Sequence, residues 1–335
     1  MNKRLIYGDI GGTKAILQLG ELVDGHVHEQ FTQRYDSSAY MTFSDLLVEF
    51  LHQAGTTESS NSSLAACFAV AGPITEQQVQ LTNLSWQINS AQIADTFSIP
   101  TVQLINDFEA VALAVEMLSP VDLITLQAGK AQAQSMRVVL GAGTGMGVAW
   151  LTWQGDRYVP LSTEAGHMDF APTNVLQISL FEALQQKFGH VSVERLLSGP
   201  GLTNIFHCLQ MNLAAFPGLT QLELAEDSGA TITALALTHK HPIAIKTLNL
   251  FIEIYGAYAG NLALAGLCRG GVYIAGGIAP KIIQSLSSGS FVQAFCDKGR
   301  FSAMMSEIPV HVITNPNVGL LGVKRKAHHL LTAQN

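Results

Sequence analysis

The sequence predicts an α/β protein with two lobes, in which a strand–turn–strand unit occurs twice. The chain has 335 residues, a length typical of about two domains. Apolar runs typical of strands alternate with stretches that have the spacing of amphipathic helices. An apolar run, a glycine-rich turn and a second apolar run form "IYGDIGGTKAILQLG", and the same order returns later in "MRVVLGAGTGMGVAWLTW".

The first 118 residues are predicted to have the order β-β-β-α-β-α-β-α. Strands over 4–10 and 14–20 flank the turn at 11–13, and a third strand follows the turn at Asp24–Gly25. "FSDLLVEFLHQAG" has the apolar spacing of a helix. "SLAACFAVAG" and "TVQLIN" are predicted as buried strands, and "DFEAVALAVEML" as an apolar helix that follows the second of them.

The rest of the chain repeats the opening pattern, with Gly143 at the place that Gly11 holds in the first unit. A hairpin turn at Gln154–Gly155–Asp156 leads into "RYVPLS". A long helix over 244–268 precedes "GGVYIAGGIAP", which is predicted as a strand that enters another glycine turn. The sequence therefore predicts an internal duplication.

Composition excludes several classes of protein. The net charge of −7 argues against nucleic-acid and anionic-membrane partners. The most apolar segment, "YGAYAGNLALAGLCRGGVYIAGG", contains Asn261 and Arg269 and is predicted as a buried helix and strand. The four cysteines are far apart and form no CxxC, which indicates reduced thiols in a cytoplasmic protein and no structural zinc. Asp9 interrupts the first apolar run too early for a signal peptide.

The glycine loops differ from the two common phosphate loops. The chain has no GxxxxGK[ST], and a dinucleotide fingerprint in "GAGTGMG" would need glycine where Met146 stands. The turn also runs into a strand, whereas the fingerprint requires a helix. One such hairpin alone would be an ordinary tight turn. Two of them, with a third glycine-rich strand exit, favour backbone N–H groups that approach oxyanions closely.

These segments carry a family resemblance. "GDIGGTKA", "GAGTGMGV" and "GGVYIAGGIAP" resemble the two phosphate motifs and the adenosine motif of the sugar kinase, actin and chaperone ATPase superfamily. "CFAVAGPIT", "LINDFEAVA", "EAGHMDFAP", "SVERLLSGPGLTN", "DKGRF" and "NVGLLGVKRKAH" resemble the bacterial ATP-dependent glucokinase family. ROK kinases share the first loop, but their cysteine-rich zinc signature after the glucose-binding histidine is not found after His167.

The resemblance implies a two-lobed actin/hexokinase-like (ribonuclease H-like) fold with duplicated β-hairpin phosphate loops and an interlobe cleft. The small lobe is expected over 1–117 with 316–335, and the large lobe over 118–315. Glucose, by touching both lobes, is expected to draw them together. The family also implies a homodimer.

On the nucleotide side the resemblance implies ATP with Mg²⁺. Asp9 is expected to orient the metal through water. The residues expected to contact the phosphates or the adenosine are Gly11, Gly12, Thr13, Gly143, Thr144, Gly145, Gly276 and Gly277. Two positions depart from the family pattern. Lys14 replaces the usual Asn and either adds a charge near the phosphates or points to solvent, and Ala165 replaces a glycine and is expected to crowd the sugar site slightly.

Asp107 is the predicted general base. "TVQLIN" delivers it to the carboxyl end of a strand, where α/β sheets bind ligands, and the following helix begins at or next to it. The simpler alternative is that Asp107 only caps that helix. The resemblance assigns the catalytic aspartate to this position.

The residues that the resemblance assigns to glucose are Asn106, Glu164, His167 and Glu194. From the residues alone, His167 would be an ordinary histidine, and Glu164 with His167 also has a spacing found in metal sites. Glu194 alone would be a surface residue of a short helix, and Ser85 with Trp86 favours simple packing.

The predicted reaction is transfer of the γ-phosphoryl of ATP to the 6-hydroxyl of glucose, the entry step of glycolysis. One alternative is a kinase of another hexose or of an amino sugar. Another is a non-catalytic sugar sensor or an actin-like ATPase. A sensor would be expected to carry a DNA-binding extension, for which the first loop, at residue 8, leaves no room. A filament or chaperone ATPase has no use for Asn106, Asp107, Glu164 and His167 together.

Overall fold

A computed structural model describes residues 3–56, 64–81, 84–211, 215–216 and 218–332. The chain divides into two compact units. Unit 1 is Met1–Leu118 with Asn317–Asn335, and unit 2 is Ser119–Pro316. Ser63, in the predicted strand "SLAACFAVAG", and residues 333–335 of the predicted C-terminal segment lie outside the described residues. In the described ranges, no helix has the length and apolarity needed to cross a membrane.

Unit 1 is a sheet with helices on both faces. Its elements are β1 (Arg4–Ile10), β2 (Lys14–Val23), β3 (His26–Asp36), α1 (Phe43–Gln53), β4 (Leu64–Val70), β5 (Gln78–Gln80), β6 (Gln87–Asn89), α2 (Ser90–Phe97), β7 (Thr101–Asn106), α3 (Asp107–Ala114) and α11 (Val318–Thr332). The main sheet has the order β3-β2-β1-β4-β7. Strands β1, β4 and β7 are parallel, whereas β2 and β3 continue as antiparallel neighbours.

Alternation along β1 places its side chains in two cores. Ile6 and Ile10 pack with α1 and α2, while Leu5 and Tyr7 pack with α3 and α11. All seven residues of β4 are buried, as expected for a central parallel strand that is covered on both faces.

Unit 2 has a six-stranded sheet. Its elements are β8 (Leu123–Gln127), β9 (Arg137–Ala142), β10 (Met146–Gln154), β11 (Arg157–Thr163), α4 (Val175–Phe188), α5 (Gly199–Gln210), α6 (Gly229–Leu237), α7 (Pro242–Ala265), β12 (Gly271–Ala275), α8 (Ile283–Leu286), α9 (Ser290–Cys296), α10 (Ser302–Ser306) and β13 (Val310–Ile313). The strand order is β11-β10-β9-β12-β13-β8. Strands β9, β12 and β13 are parallel, and the other pairs are antiparallel.

The two sheets repeat one arrangement, which confirms the predicted duplication. In unit 1 the order β3-β2-β1-β4-β7 has three antiparallel strands followed by two more that are parallel to β1. In unit 2 the order β11-β10-β9-β12-β13 has the same directions, and β8 is an additional edge strand. Each glycine turn therefore joins equivalent strands, β1 to β2 and β9 to β10.

Several predicted boundaries were wrong. The long helix is α7, Pro242–Ala265, and ends before Gly266. The helix predicted over 107–118 ends at Ala114, after which Val115–Met117 forms a single 3-10 turn. Pro120 disfavours helical geometry only at Ser119, the residue before it, so it does not explain why α3 ends at Ala114. The sequence interpretation also missed β5, β6, β8 and β13, which are three to five residues long and too short to show a period.

Candidate active site

Strand register brings three of the predicted residues to one edge of the unit 1 sheet. Ile10, Val70 and Asn106 are aligned across the parallel strands β1, β4 and β7, at their carboxyl ends. Asp9 precedes Ile10, and Asp107 follows Asn106. These residues are far apart in the chain, and they meet because parallel strands end at the same edge.

Asn106 is the cap of α3. Its Oδ1 accepts hydrogen bonds from the N–H groups of Phe108 and Glu109 at 2.9 and 3.3 Å, and its Nδ2 donates to the carbonyl of Gly72 at 3.2 Å. The capping role that sequence reasoning held open for Asp107 therefore belongs to Asn106. The side-chain amide has two N–H donors, and the carbonyl of Gly72 accepts from one of them, so the second N–H can donate to another group.

Asp107 is the first residue of α3 and is half-buried. Its Oδ1 accepts a hydrogen bond from the N–H of Phe108 at 2.9 Å. The positive end of the helix favours the ionised carboxylate, which is the form that accepts a proton.

Asp9 is electrostatically coupled to Asp107. Burial, and after it the charge of Asp107, raises the pKa of Asp9 to about 6. Two carboxylates close enough to repel each other, one of them poorly hydrated, form a site that a cation would stabilise.

The C-terminal helix lies against Asp9. A Cβ atom on Gly319, in the first turn of α11, would come within 2.7 Å of Asp9 Oδ2, so glycine is needed for this approach. The helix is held on α3 in the same way, since a Cβ atom on Gly322 would overlap the carbonyl of Ala110. Arg325 on α11 also forms a 2.7 Å ion pair with Glu116. The start of α11 thus places positive helix-end charge beside Asp9.

The first glycine hairpin is closed by its own backbone and by a serine. The N–H of Gly11 donates to the carbonyl of Lys14 at 2.9 Å. Buried Ser37 donates its hydroxyl to the carbonyl of Gly11 at 2.8 Å and its N–H to the carbonyl of Thr13. The loop, which contains the predicted residues Gly11, Gly12 and Thr13, is therefore fixed from the side of β3. The Lys14 side chain is exposed.

The second hairpin loop comprises Gly143, Thr144 and Gly145. The N–H of Gly143 donates to the carbonyl of Gly145 at 2.8 Å, which closes the turn. The carbonyl of Gly143 accepts from the N–H of Gly199, the first residue of α5, also at 2.8 Å. Thr144 is exposed at the tip. A Cβ atom on Gly143 would meet no atom within 4 Å, so the space over this residue is open.

Glu194 lies against the second hairpin. The sequence alone would instead have predicted a surface residue of a short helix. Glu194 Oε2 accepts a hydrogen bond from the N–H of Met146 at 2.9 Å. A Cβ atom on Gly145 would be 2.6 Å from the same oxygen. The residue is half-buried in a 3-10 turn, Val193–Arg195.

A 3-10 turn, Ala165–His167, follows β11. Glu164 precedes this turn and His167 is its last residue, and both side chains are exposed. The N–H of His167 donates to the carbonyl of Glu164 at 3.0 Å, so the two are fixed close together in the chain. Gly166 packs on Met146, since a Cβ atom there would overlap the Met146 carbonyl oxygen. Ala165, expected from the sequence to crowd the sugar site slightly, is 6% exposed and lies in the core of unit 2.

The third glycine-rich turn meets the strand that leads to the second hairpin. Gly276 has a φ of +82°, and a Cβ atom on it would overlap the carbonyl of Ala142, the last residue of β9. Only glycine satisfies both conditions. Gly277 is exposed, and a Cβ atom on it would meet nothing within 4 Å.

Sequence reasoning missed Ser37, Gly319 and the peptide of Met146. Ser37 has little sequence signal, because serine after a strand is common. Gly319 stands in the quoted motif "NVGLLG", and glycine inside a helix is a signal of close approach that could have been used. Trp86 is a packing residue, as favoured from the sequence: it is 2% exposed, and its indole N–H donates to the carbonyl of Tyr40.

The chemistry of each unit follows from these positions. Unit 1 offers a coupled pair of carboxylates, a glycine hairpin and the start of α11. Unit 2 offers a second glycine hairpin, an open glycine turn and exposed carboxylate and imidazole groups. Backbone N–H groups suit phosphate oxygens, and carboxylates suit a metal ion, a hydroxyl proton or sugar hydroxyl groups.

Comparison with known proteins agrees with this chemistry. The family model described as Glucokinase matches residues 6–330. The chain is 41% identical to a glucokinase of Trichormus variabilis over 334 residues, covering 95% of this chain and 97% of the relative. It is 40% identical to a glucokinase of Synechocystis, covering 96% and 97%. A solved glucokinase structure from an Antarctic psychrotroph superposes with a TM-score of 0.84 at 32% identity, covering 98% and 99%. The fold is the actin-like ATPase fold of these kinases, and the chain belongs to the glucokinase family.

Proposed function

We propose that Asp107 is the general base of this kinase. The enzyme transfers the γ-phosphoryl of ATP to the 6-hydroxyl of D-glucose and releases glucose 6-phosphate and ADP. The observation that carries the proposal is the position of Asp107 as the first residue of α3, capped by Asn106 and coupled to Asp9. The positive end of a helix favours the ionised form of a carboxylate, and an ionised Asp107 can take the proton that the sugar hydroxyl loses as it attacks.

For the nucleotide, we propose that the loops 11–13 and 143–145 bind phosphate oxygens through backbone N–H groups other than those of Gly11 and Gly143, which close their own turns. The open space over Gly143 supports this role, and the open face of Gly277 supports a place for the adenosine. The donor chemistry of unit 1 fits Mg²⁺, because burial and a neighbouring carboxylate raise the pKa of Asp9. Mg²⁺, when bound with ATP, neutralises phosphate charge, and Asp9 is the residue proposed to orient it through water.

For the sugar, we propose that Glu164, His167, Glu194 and Asn106 bind the ring hydroxyls. Glu164 and His167 are exposed and held close together by the turn, and Asn106 keeps an amide N–H beyond the one given to Gly72. Carboxylate, imidazole and amide groups together supply the acceptors and donors that vicinal hydroxyls need.

A coupled assay over a hexose panel tests the substrate. Glucose should have the highest kcat/KM. Mannose, which differs at the 2-hydroxyl, should lose roughly 10- to 100-fold, because the groups that pair with that hydroxyl would be left unsatisfied once the bound sugar covers them. A higher kcat/KM for mannose or for an amino sugar would contradict the proposal.

A homodimer and a cytoplasmic location are further proposals. The family resemblance supports the first, and the four free cysteines support the second. Light scattering behind size-exclusion chromatography tests the dimer, with an expected mass of about twice that of one chain.

A further inference from the structure

One hydrogen bond in unit 2 joins a proposed sugar residue to the second phosphate hairpin. Glu194 Oε2 accepts from the N–H of Met146 at 2.9 Å, and Met146 is the first residue after the loop Gly143–Gly145. The two residues are 48 positions apart in the chain. The bond is therefore a tertiary link between two functional segments.

The fit around this bond is close. A methyl group on Gly145 would come within 2.6 Å of Oε2 and would displace the carboxylate. The carbonyl group of Met146 is covered as well, because Gly166 packs on it in the turn that holds Glu164 and His167. Both backbone groups of Met146 thus touch segments that carry proposed sugar residues.

The backbone of Glu194 is fixed as well. Its carbonyl accepts a hydrogen bond from Ser198 Oγ at 2.8 Å, and the same Oγ accepts from the N–H of Gly201 to cap α5. The first N–H of α5, from Gly199, in turn donates to the carbonyl of Gly143. Glu194 and the loop are therefore braced by the same helix start, which leaves the carboxylate little freedom to leave Met146.

Only one carboxylate oxygen is used in this link. Within the part of the chain that the structure describes, Glu194 Oε1 has no hydrogen-bond partner, and the residue is half-buried. A carboxylate accepts at both oxygens, so Oε1 can take a sugar hydroxyl while Oε2 keeps Met146.

We propose that Glu194 is a positioning residue that couples the sugar subsite to the second phosphate hairpin, with Oε2 holding the loop and Oε1 accepting from a glucose hydroxyl. The proposal rests on the proposed role of Glu194 as a sugar contact. It differs from a simple contact in one respect: loss of the Glu194–Met146 bond must change both nucleotide binding and glucose binding.

The first experiment measures ADP binding by isothermal titration calorimetry with Mg²⁺ and without glucose. Glu194→Ala should raise the ADP dissociation constant about 5- to 10-fold, because the hairpin loses a fixing hydrogen bond. Glu194→Gln should keep ADP binding close to wild type, since its amide oxygen still accepts from Met146, while glucose binding weakens. Glu182→Ala, an exposed glutamate on α4, is the matched control and should change neither constant.

The second experiment measures glucose binding without nucleotide. Gly145→Ala replaces no proposed sugar residue, but it should weaken glucose binding about 5- to 10-fold because its methyl group displaces the Glu194 carboxylate. Gly143→Ala is the comparison, since its methyl group meets no atom; its glucose dissociation constant should stay within about twofold of wild type.

Each outcome decides between the two ideas. If Glu194→Ala binds ADP like wild type, or Gly145→Ala binds glucose like wild type, the coupling is wrong and Glu194 is at most a sugar contact. If Glu194→Gln binds glucose like wild type, the proposed sugar role fails instead. Melting curves identify a variant that does not fold. If Glu194→Ala does not fold, glucose binding by Gly145→Ala tests the coupling; if Gly145→Ala does not fold, ADP binding by Glu194→Ala tests it.

Discussion

The hairpin loop 11–13 in unit 1 and the hairpin loop 143–145 in unit 2 join equivalent strands, but different contacts hold them in place. In the first, four residues separate the paired Ile10 and Ala15, and Ser37 fixes the turn. In the second, three residues separate Ala142 from Met146, and the turn is fixed by Gly199 and Glu194.

The charge around the two loops also differs. The first loop follows Asp9, whose raised pKa reflects burial and the charge of Asp107. At the second loop the nearby carboxylate of Glu194 is occupied by a backbone N–H. Bare phosphate oxygens would be repelled beside Asp9, but a phosphate that carries a divalent cation would be attracted. We therefore propose that metal-bound phosphate oxygens lie at the first loop, beside Asp9, and that the second loop acts through its backbone N–H groups alone.

The largest expected effect is on kcat, from replacing Asp107 beside the first loop. Asp107→Asn keeps the shape but removes the proton acceptor, so kcat should fall by at least about 100-fold while the dissociation constant of glucose changes little. Asp24→Asn, in the exposed β2–β3 turn, is the matched control and should keep wild-type kcat. A near-normal kcat in Asp107→Asn would show that another group takes the proton.

The next effect is on the second loop. Gly143→Val places a branched side chain in the open space where a phosphate is proposed to bind. One or two hydrogen bonds to a charged phosphate are worth roughly 1.5–3 kcal/mol each, so the KM for ATP should rise about 10-fold or more. Steady-state kinetics measures the KM, and a melting curve checks that the variant is folded, as expected where a Cβ atom meets no protein atom within 4 Å. An unchanged KM in a folded variant would remove this loop from the nucleotide site.

A third test uses stability. The folded chain holds the Asp9 proton more tightly than the unfolded chain, because the folded pKa of about 6 exceeds the ordinary value near 4. Ionisation of Asp9 above pH 6 therefore opposes folding. Asp9→Asn should raise the free energy of unfolding by about 3 kcal/mol at pH 8, and the gain should shrink as the pH falls from 6 towards 4.

Thermal melting without Mg²⁺ or nucleotide, across this pH range, measures the effect of Asp9→Asn. Asp24→Asn should show no such pH-dependent gain. A lower melting temperature for Asp9→Asn at pH 8 would mean that the ionised carboxylate stabilises the fold, contrary to the raised pKa.

The smallest expected effect is at the end of the first loop. The Lys14 side chain is exposed, so its ammonium group can strengthen phosphate binding only weakly. Lys14→Asn should reduce kcat/KM for ATP by less than about tenfold, and the loss should decrease in high salt. Loss of activity to background would show that the first loop depends on this lysine.

The sequence by itself determined the features that depend on short stretches of chain. The glycine turns, the strands on either side of them and the helix after "TVQLIN" follow from local period and turn chemistry, and all are found in the structure. The β2–β3 turn is an example: Asp24 and Gly25 both have positive φ, as the Asp-Gly pair predicts. The short strands β5, β6, β8 and β13 were missed because they contain too few alternations to show a period, whereas β12, also five residues long, was marked by the glycine turn after it.

Only the tertiary structure decided which distant groups meet. Asp9 and Asp107 are coupled because β1, β4 and β7 are parallel and in register, and no local pattern contains that strand order. The same holds for Gly319 beside Asp9 and for Glu194 beneath the second hairpin. Such contacts depend on close packing between elements, in which one absent methyl group sets the distance, and a sequence gives no measure of that distance until the fold is complete.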